Sequence, residues 1–170
     1  NAFTNHPVFK FIMTESERAE LQSIPAASNL DGPNARMNGT FISIDAGGTE
    51  LRYNVGIRNR GHGSRRANPP NYRVEFRSDE PWKNVSAMNI NSVNPYLQHV
   101  GSVLARKAGA IGTATYGVQV RVNNANRANS GAPMFGLYAA NEVLDGDWAA
   151  RHFPTDGNGD ETLMKLVVNA

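Results

Sequence analysis

Short segments in which apolar and polar residues alternate constrain the fold of this chain more than any other feature. In the clearest one, residues 51–60, one face of an extended chain would carry Leu51, Tyr53, Val55 and Ile57. A period of two is typical of a half-buried antiparallel strand. Segments 40–44 and 72–76 flank it, and the glycines of Asp45-Ala46-Gly47-Gly48 favour a hairpin turn because glycine tolerates positive φ. These residues predict an antiparallel meander.

Helix signals are few. Thr14 and Glu17 form a capping-box pattern, which predicts a helix through Leu21. A second helix is predicted over 94–109, capped by Asn94, with Pro95 in the first turn and Gly109 after the end. Its apolar face would contain Tyr96, Leu97, Val100, Val103, Leu104 and Ala108. Asp145 or Asp147 is expected to cap a third, short helix.

Further strands are predicted at 87–91, 116–122, 134–140 and 163–168. Strands therefore dominate, and short turns join most neighbours. This pattern predicts an α+β fold with a mostly antiparallel sheet and a few helices. The length of 170 residues fits one domain, with a helix and loop over 1–39 preceding the main part at 40–170.

Positive charge is concentrated in one part of the chain. The net charge is only +2, but seven arginines fall between Arg52 and Arg77. A guanidinium is a planar fork of donors that matches phosphate and carboxylate groups. The small net charge and the absence of interleaved aromatic residues disfavour nucleic-acid binding. No apolar run reaches the roughly 18 residues that would suggest a membrane span.

Three segments together resemble the spore coat protein H family of atypical protein kinases. In the first, a strand ends in Arg58-Asn59-Arg60-Gly61, passes through a loop with Ser64 and Arg65, and returns at 72–76. The second is the strand at 87–91 that leads into the helix at 94–109. The third is residues 135–145, which contain Gly136-Leu137-Tyr138 followed by Glu142 and Asp145. The match covers about residues 50–168.

The resemblance implies the amino-terminal part of a protein-kinase-like fold, and binding of ATP with Mg²⁺ or Mn²⁺. It also implies transfer of the γ-phosphate to Ser or Thr of secreted, surface or coat proteins, outside the cell or at its surface. The family's catalytic Asp before a His-Asn pair, and its metal-binding Asp-x-Asp after a Trp, lie further toward the carboxyl terminus. This chain has neither pattern after Trp82 or Trp148. We therefore expect the carboxyl-terminal half of the domain to be the partner that supplies them.

The candidate nucleotide-binding residues follow from this resemblance and from the chemistry of phosphate binding. They are Arg58, Arg60, Ser64, Arg65, Arg73, Glu142 and Lys165. The loop arginines would hold phosphate oxygens, Arg73 or Lys165 would replace the nucleotide-binding lysine of ordinary kinases, and Glu142 would face the ribose or adenine. The alternative is that the arginines are solvated or pair with Glu75 and Asp79, and that Glu142 is a solvated strand end. On that interpretation the chain is a non-catalytic extracellular binding or structural module.

One segment resembles the start of a calcium loop. Oxygen-bearing residues recur at every second position, at Asp156, Asn158 and Asp160. An EF-hand would place Gly at position 161 and Glu at position 167, where this chain has Glu161 and Val167. A glycine-rich turn is the simpler interpretation of this segment.

Overall fold

The alternating segments fold into strands. The computed structural model describes residues 6–24, 34–61, 63–127 and 137–153. Within these residues the strands are β1 (Val8–Ile12), β2 (Met37–Asp45), β3 (Gly48–Asn59), β4 (Tyr72–Glu75), β5 (Ala87–Asn91), β6 (Thr115–Val122), β7 (Ala125–Asn126) and β8 (Tyr138–Glu142). The α-helices are α1 (Glu15–Ser23), α2 (Pro95–Lys107) and α3 (Gly146–His152), and a short 3₁₀ helix covers Gly63–Arg66.

The sheet closes on itself. Its strand order is β1-β2-β3-β4-β5-β8-β6, and β1 also pairs with β6 in parallel, so these seven strands form a barrel. The short β7 pairs with β6. Closure satisfies the backbone groups that an open sheet would leave unpaired at its edges.

The prediction of an α+β fold resembling the amino-terminal part of a protein kinase is therefore wrong. Its error lies at β1, which the sequence analysis did not assign as a strand. Phe9 pairs with Ser43 of β2 on one side and with Val120 of β6 on the other. A sheet whose first strand joins a strand more than a hundred residues later cannot be an open meander.

The barrel interior is filled by aromatic and branched side chains. Phe9, Phe11 and Phe41 are fully buried, and the rings of Phe9 and Phe41 meet edge to face with centroids 5.0 Å apart. Trp82 closes this cluster, with its indole Nε1 donating to Ser43 Oγ at 2.9 Å. The core is therefore a packed interior, and ligands are to be sought on the outside or at the ends.

A bulge in β3 changes which side chains face the core. The register between β2 and β3 shifts between Gly39 and Phe41, and Asn54 has a left-handed φ of 52°. After the bulge Val55 and Ile57 point inward, as predicted. Before it, Leu51 and Tyr53 are 40% and 59% exposed, so the prediction that they share the buried face is wrong. One extra residue reverses the alternation.

Helix α1 begins with the predicted capping box, which is confirmed. Thr14 Oγ1 accepts from the amide of Glu17 at 3.2 Å, and the Glu17 carboxylate accepts from the amide of Thr14 at 3.2 Å. The same carboxylate accepts from the amide of Asn38 on β2 at 3.0 Å. The cap therefore also ties the start of α1 to the barrel.

We expect Thr14→Ala to lower the free energy of unfolding by about 1 kcal/mol, because one amide at the start of the helix loses its acceptor. Urea unfolding followed by circular dichroism measures this change. Thr49→Ala, at an exposed position of β3, is the matched control and should change stability little. Equal stabilities of the two variants would contradict a role for this cap.

Helices α2 and α3 lie where the sequence predicts them. Asp145 caps α3 by accepting from the amide of Trp148, as expected. Asn94 has a left-handed φ of 48° and makes no side-chain capping bond, so its predicted role is wrong. Pro95 is the buried residue of α2, and the rest of the helix lies on the outer wall of the barrel. None of the helices in the described segments is both long and apolar enough to cross a membrane.

Candidate functional site

A polar row crosses the outer wall of the barrel. The strand register places Arg58 of β3 beside Arg73 of β4, and Arg73 beside Asn89 of β5. Asn89 in turn lies beside Asn141 of β8. Directly paired residues point to the same face of a sheet, so these four half-buried side chains lie together on the outer face of the barrel.

A cleft of about 360 Å³ opens over this row. Its lining residues are Arg58, Arg60, Gly61, Arg73, Asn89, Thr113, Asn141, Glu142, Val143 and Leu144. We call it the arginine cleft. Arg60 extends the row because it lies two residues beyond Arg58, on the same face of the chain. Gly61 has a φ of 104° and lies against Ser64, so the chain can turn here only without a side chain.

Cations outnumber carboxylates at this site. Glu75 forms ion pairs with three arginines, with oxygens 2.6 Å from Arg36 Nε, 2.7 Å from Arg73 Nε and 3.9 Å from Arg58 Nε. Among the described residues no carboxylate pairs with Arg60, whose Nη1 donates to Asn91 Oδ1. The arginine cleft therefore carries excess positive charge.

Burial, and after it the crowding of guanidinium groups, lowers the pKa of two of these arginines. Burial lowers the pKa of Arg60, and the neighbouring charges of Arg73 and Arg58 lower it further. Burial also lowers the pKa of Arg58, followed by the charge of Arg73. Guanidinium groups stay protonated even so. A bound anion would offset the repulsion between these like charges, and its binding would therefore be favoured here.

Amide side chains form a second set of polar groups at and beside the cleft. Gln98 of α2 accepts from Asn91 Nδ2 at 2.7 Å and from Asn141 Nδ2 at 3.0 Å, which links the helix to β5 and β8. Asn141 also accepts from Thr115 Oγ1 at 2.5 Å. In contrast, Asn89 Oδ1 is buried and has no hydrogen-bond partner. An unused buried acceptor beside the cations suits a ligand that also carries an N–H or O–H group.

The structure brings together Arg58, Arg60, Arg73 and Glu142 of the seven candidate nucleotide-binding residues. Glu142 forms an ion pair with Arg151 of α3. Two ion pairs agree with the alternative interpretation, in which the arginines pair with acidic residues. Arg73 pairs with Glu75, and the exposed Arg77 pairs with Asp79.

Two candidates lie in the loop rather than in the cleft. Ser64 receives a hydrogen bond from Asn71 Nδ2 at 3.0 Å. Arg65 is 7% exposed and donates to Gly61 O at 3.1 Å and to Asn34 Oδ1 at 2.6 Å. Both side chains therefore brace the turn that leads away from Arg60. Lys165 and the calcium-loop residues Asp156, Asn158 and Asp160 lie outside the described residues.

The amide side chains of the cleft were not predicted from the sequence. Asn89 and Asn91 alternate with buried Met88 and Ile90, so the strand pattern did mark them as outward-facing. Their partners Asn141 and Gln98 could be found only from the strand order and the position of α2. Within the described segments, no three acidic or histidine side chains converge as a metal site.

The chain matches no protein-family model, and no curated protein is significantly similar to it.

Proposed function

We propose that the arginine cleft binds the phosphate groups of a nucleoside triphosphate. The supporting observation is the convergence of Arg58, Arg60 and Arg73 on one cleft, where one carboxylate, that of Glu75, is shared by Arg58 and Arg73. Forked guanidinium donors bind phosphate oxygens through paired, charge-assisted hydrogen bonds. Asn89 Oδ1, which has no partner, would accept from a hydroxyl or amino group of the nucleoside.

Phosphoryl transfer would be the activity of a longer protein that contains this chain. The resemblance to the spore coat protein H kinases supports ATP as the ligand and Ser or Thr of a secreted, surface or coat protein as the acceptor. Such a reaction depends on positioning the phosphates and neutralising their charge. The three arginines suit both tasks, and the carboxylates that orient the acceptor would come from another part of that protein.

A divalent cation fits this cleft less well than the phosphates do. Mg²⁺ and Mn²⁺ prefer carboxylate and water oxygens, and they bind to nucleotides through phosphate oxygens. Glu142 is the carboxylate among the cleft residues, and it is paired with Arg151. Bound Mg²⁺ or Mn²⁺ would neutralise charge on the phosphates. In this chain the arginines would hold the phosphates, and the ligands of the metal would come from another part of the longer protein.

A second candidate function is binding without catalysis. Ion pairing of Glu142 with Arg151, and of Glu75 with three arginines, favours it, because neither carboxylate is then available as a base. An extracellular module of this kind would use the same cleft to hold a phosphorylated or otherwise anionic partner. Transfer of radioactive phosphate from ATP to a protein by the longer protein, with Mg²⁺ or Mn²⁺, separates the two functions.

We expect Arg60→Met and Arg73→Met each to weaken ATP binding about tenfold or more, since each removes a charge-assisted contact to phosphate. Isothermal titration calorimetry at constant ionic strength measures the dissociation constants. The matched control is Arg77→Met, which removes an exposed arginine paired with Asp79 and should leave affinity unchanged.

Competition by inorganic tripolyphosphate would assign the binding to the phosphates. If Arg60→Met and Arg73→Met both bind ATP as well as the wild type does, the proposed site is wrong. Tight binding of single-stranded DNA that falls steeply with salt would instead indicate a nucleic-acid interface.

A further inference from the structure

Helix α2 presents an apolar face to solvent. Leu97, Val100 and Leu104 are 70%, 50% and 61% exposed. At about 100° per residue these three side chains fall within about 60° of one another around the helix. On the opposite side, Gln98 bonds to Asn141 and Ser102 Oγ donates to Thr113 O at 2.5 Å. The polar side of α2 therefore forms hydrogen bonds to the barrel, and the apolar side is exposed.

The position of Gly101 gives this face a specific shape. Leu97, Val100, Gly101 and Leu104 have the spacing i, i+3, i+4 and i+7, which on a helix surface forms the hole that receives one side chain from a facing helix. A Cβ added to Gly101 would meet nothing within 4 Å. Glycine destabilises an exposed helix interior relative to alanine. Packing among the described residues gives no reason for glycine at this position, whereas the approach of another helix does.

The charges around the face indicate the kind of partner. Residues 81–141 contain no Asp or Glu. Arg106 and Lys107 are exposed in the last turn of α2. A second copy that packed its α2 against this one would bring the same positive end, and α2 contains no acid to pair with it. An acidic partner is complementary to this surface.

We propose that the outer face of α2, formed by Leu97, Val100, Gly101 and Leu104, docks an amphipathic α-helix of a partner protein. The partner helix inserts an apolar side chain over Gly101 and places acidic residues beside Lys107. Two further apolar side chains are exposed. Ile111, 53% exposed, follows the carboxyl end of α2, and Leu144, 50% exposed, lines the arginine cleft. This inference is independent of whether the cleft binds nucleotide.

The test uses a fluorescein-labelled helical peptide of about three heptads with Leu at the a and d positions, Glu at e and g, and Ala elsewhere. Fluorescence anisotropy measures its binding to the full chain. We expect Leu104→Gln and Gly101→Gln each to weaken binding about tenfold or more, because one removes an apolar contact and the other fills the hole. Leu51→Gln is the matched control, since Leu51 is also an exposed leucine but lies on β3.

A peptide with Lys in place of Glu should bind at least about tenfold more weakly, because it repels Arg106 and Lys107. Unchanged binding by Leu104→Gln and Gly101→Gln, or equal binding of the Lys peptide, overturns the proposal. It is also overturned if sedimentation shows a dimer that Leu104→Gln dissociates, since the occupant is then a second copy. Binding to vesicles of phosphatidylcholine and phosphatidylserine without binding to the Glu peptide would assign the face to a membrane surface.

Discussion

Phe9→Ala is expected to lower the free energy of unfolding by about 3–5 kcal/mol, the usual cost of removing a buried phenylalanine ring. Phe9 is fully buried and lies on β1, the strand that closes the barrel. Its ring meets those of Phe41, Trp82 and Tyr116 at centroid distances of 5.0, 5.4 and 6.3 Å. The substitution therefore leaves a cavity where β1, β2 and β6 meet. Urea unfolding followed by tryptophan fluorescence and circular dichroism measures the change.

Lys10→Ala is the matched control for this prediction. Lys10 follows Phe9 on β1, points outward, and makes a long hydrogen bond of 3.4 Å to Asn124. Its loss should cost less than about 0.5 kcal/mol. Hydrogen exchange should also show that Phe9→Ala lowers amide protection in β1 and β6 more than in β4. If the two substitutions have the same effect, β1 does not close the barrel, and an open sheet would describe the chain better.

The closure could not be predicted from the sequence because it depends on pairing between distant segments. Residues 8–12 are apolar at every position except Lys10, so they lack the strict alternation that marked β3. Their identity as a strand comes from Phe9 and Phe11 pointing inward between β2 and β6. In contrast, Thr14 and Glu17 act within one helical turn. That is why the capping box was found and the strand before it was not.

The same contrast between local and long-range signals explains which residues of the site could be predicted. Arg58 and Arg73 lie on consecutive strands joined by residues 60–71, so their pairing follows from local alternation once the two strands are assigned. Asn89 and Asn141 meet only because β5 lies between β4 and β8, and the sequence gives no local signal of that order. The resemblance and the glycine-bearing turn predict that Ser64 and Arg65 bind phosphate. Their hydrogen bonds to Asn71 and Asn34 hold them in the loop instead.

Asn71→Leu is expected to lower the free energy of unfolding by about 3 kcal/mol, because buried polar groups lose their partners. Asn71 is 2% exposed and lies just before β4. Its Oδ1 accepts from the amide of Ser92 at 2.6 Å and from Ser92 Oγ at 2.9 Å. Its Nδ2 donates to Ser64 Oγ at 3.0 Å. Leucine is similar in size but replaces none of these bonds, so a buried N–H at Ser92 would be left unpaired. Urea unfolding measures the loss, with Asn38→Leu, at an exposed asparagine of β2, as the matched control.

This substitution also tests whether the loop positions the arginine cleft. The carbonyl of Asn71 accepts from the amide of Arg60 at 3.1 Å, so the backbone that carries Arg60 is joined to the residue that binds Ser64 and Ser92. Asn71→Asp keeps an acceptor for Ser92, but it loses the donor to Ser64 and places a carboxyl in a buried site. If the loop positions Arg60, both variants should weaken ATP binding in the order of their effect on stability, measured at a temperature where each is folded. A stability loss with unchanged ATP affinity would mean that Asn71 supports the barrel alone, and that Arg60 is held by Asn91 and its own strand.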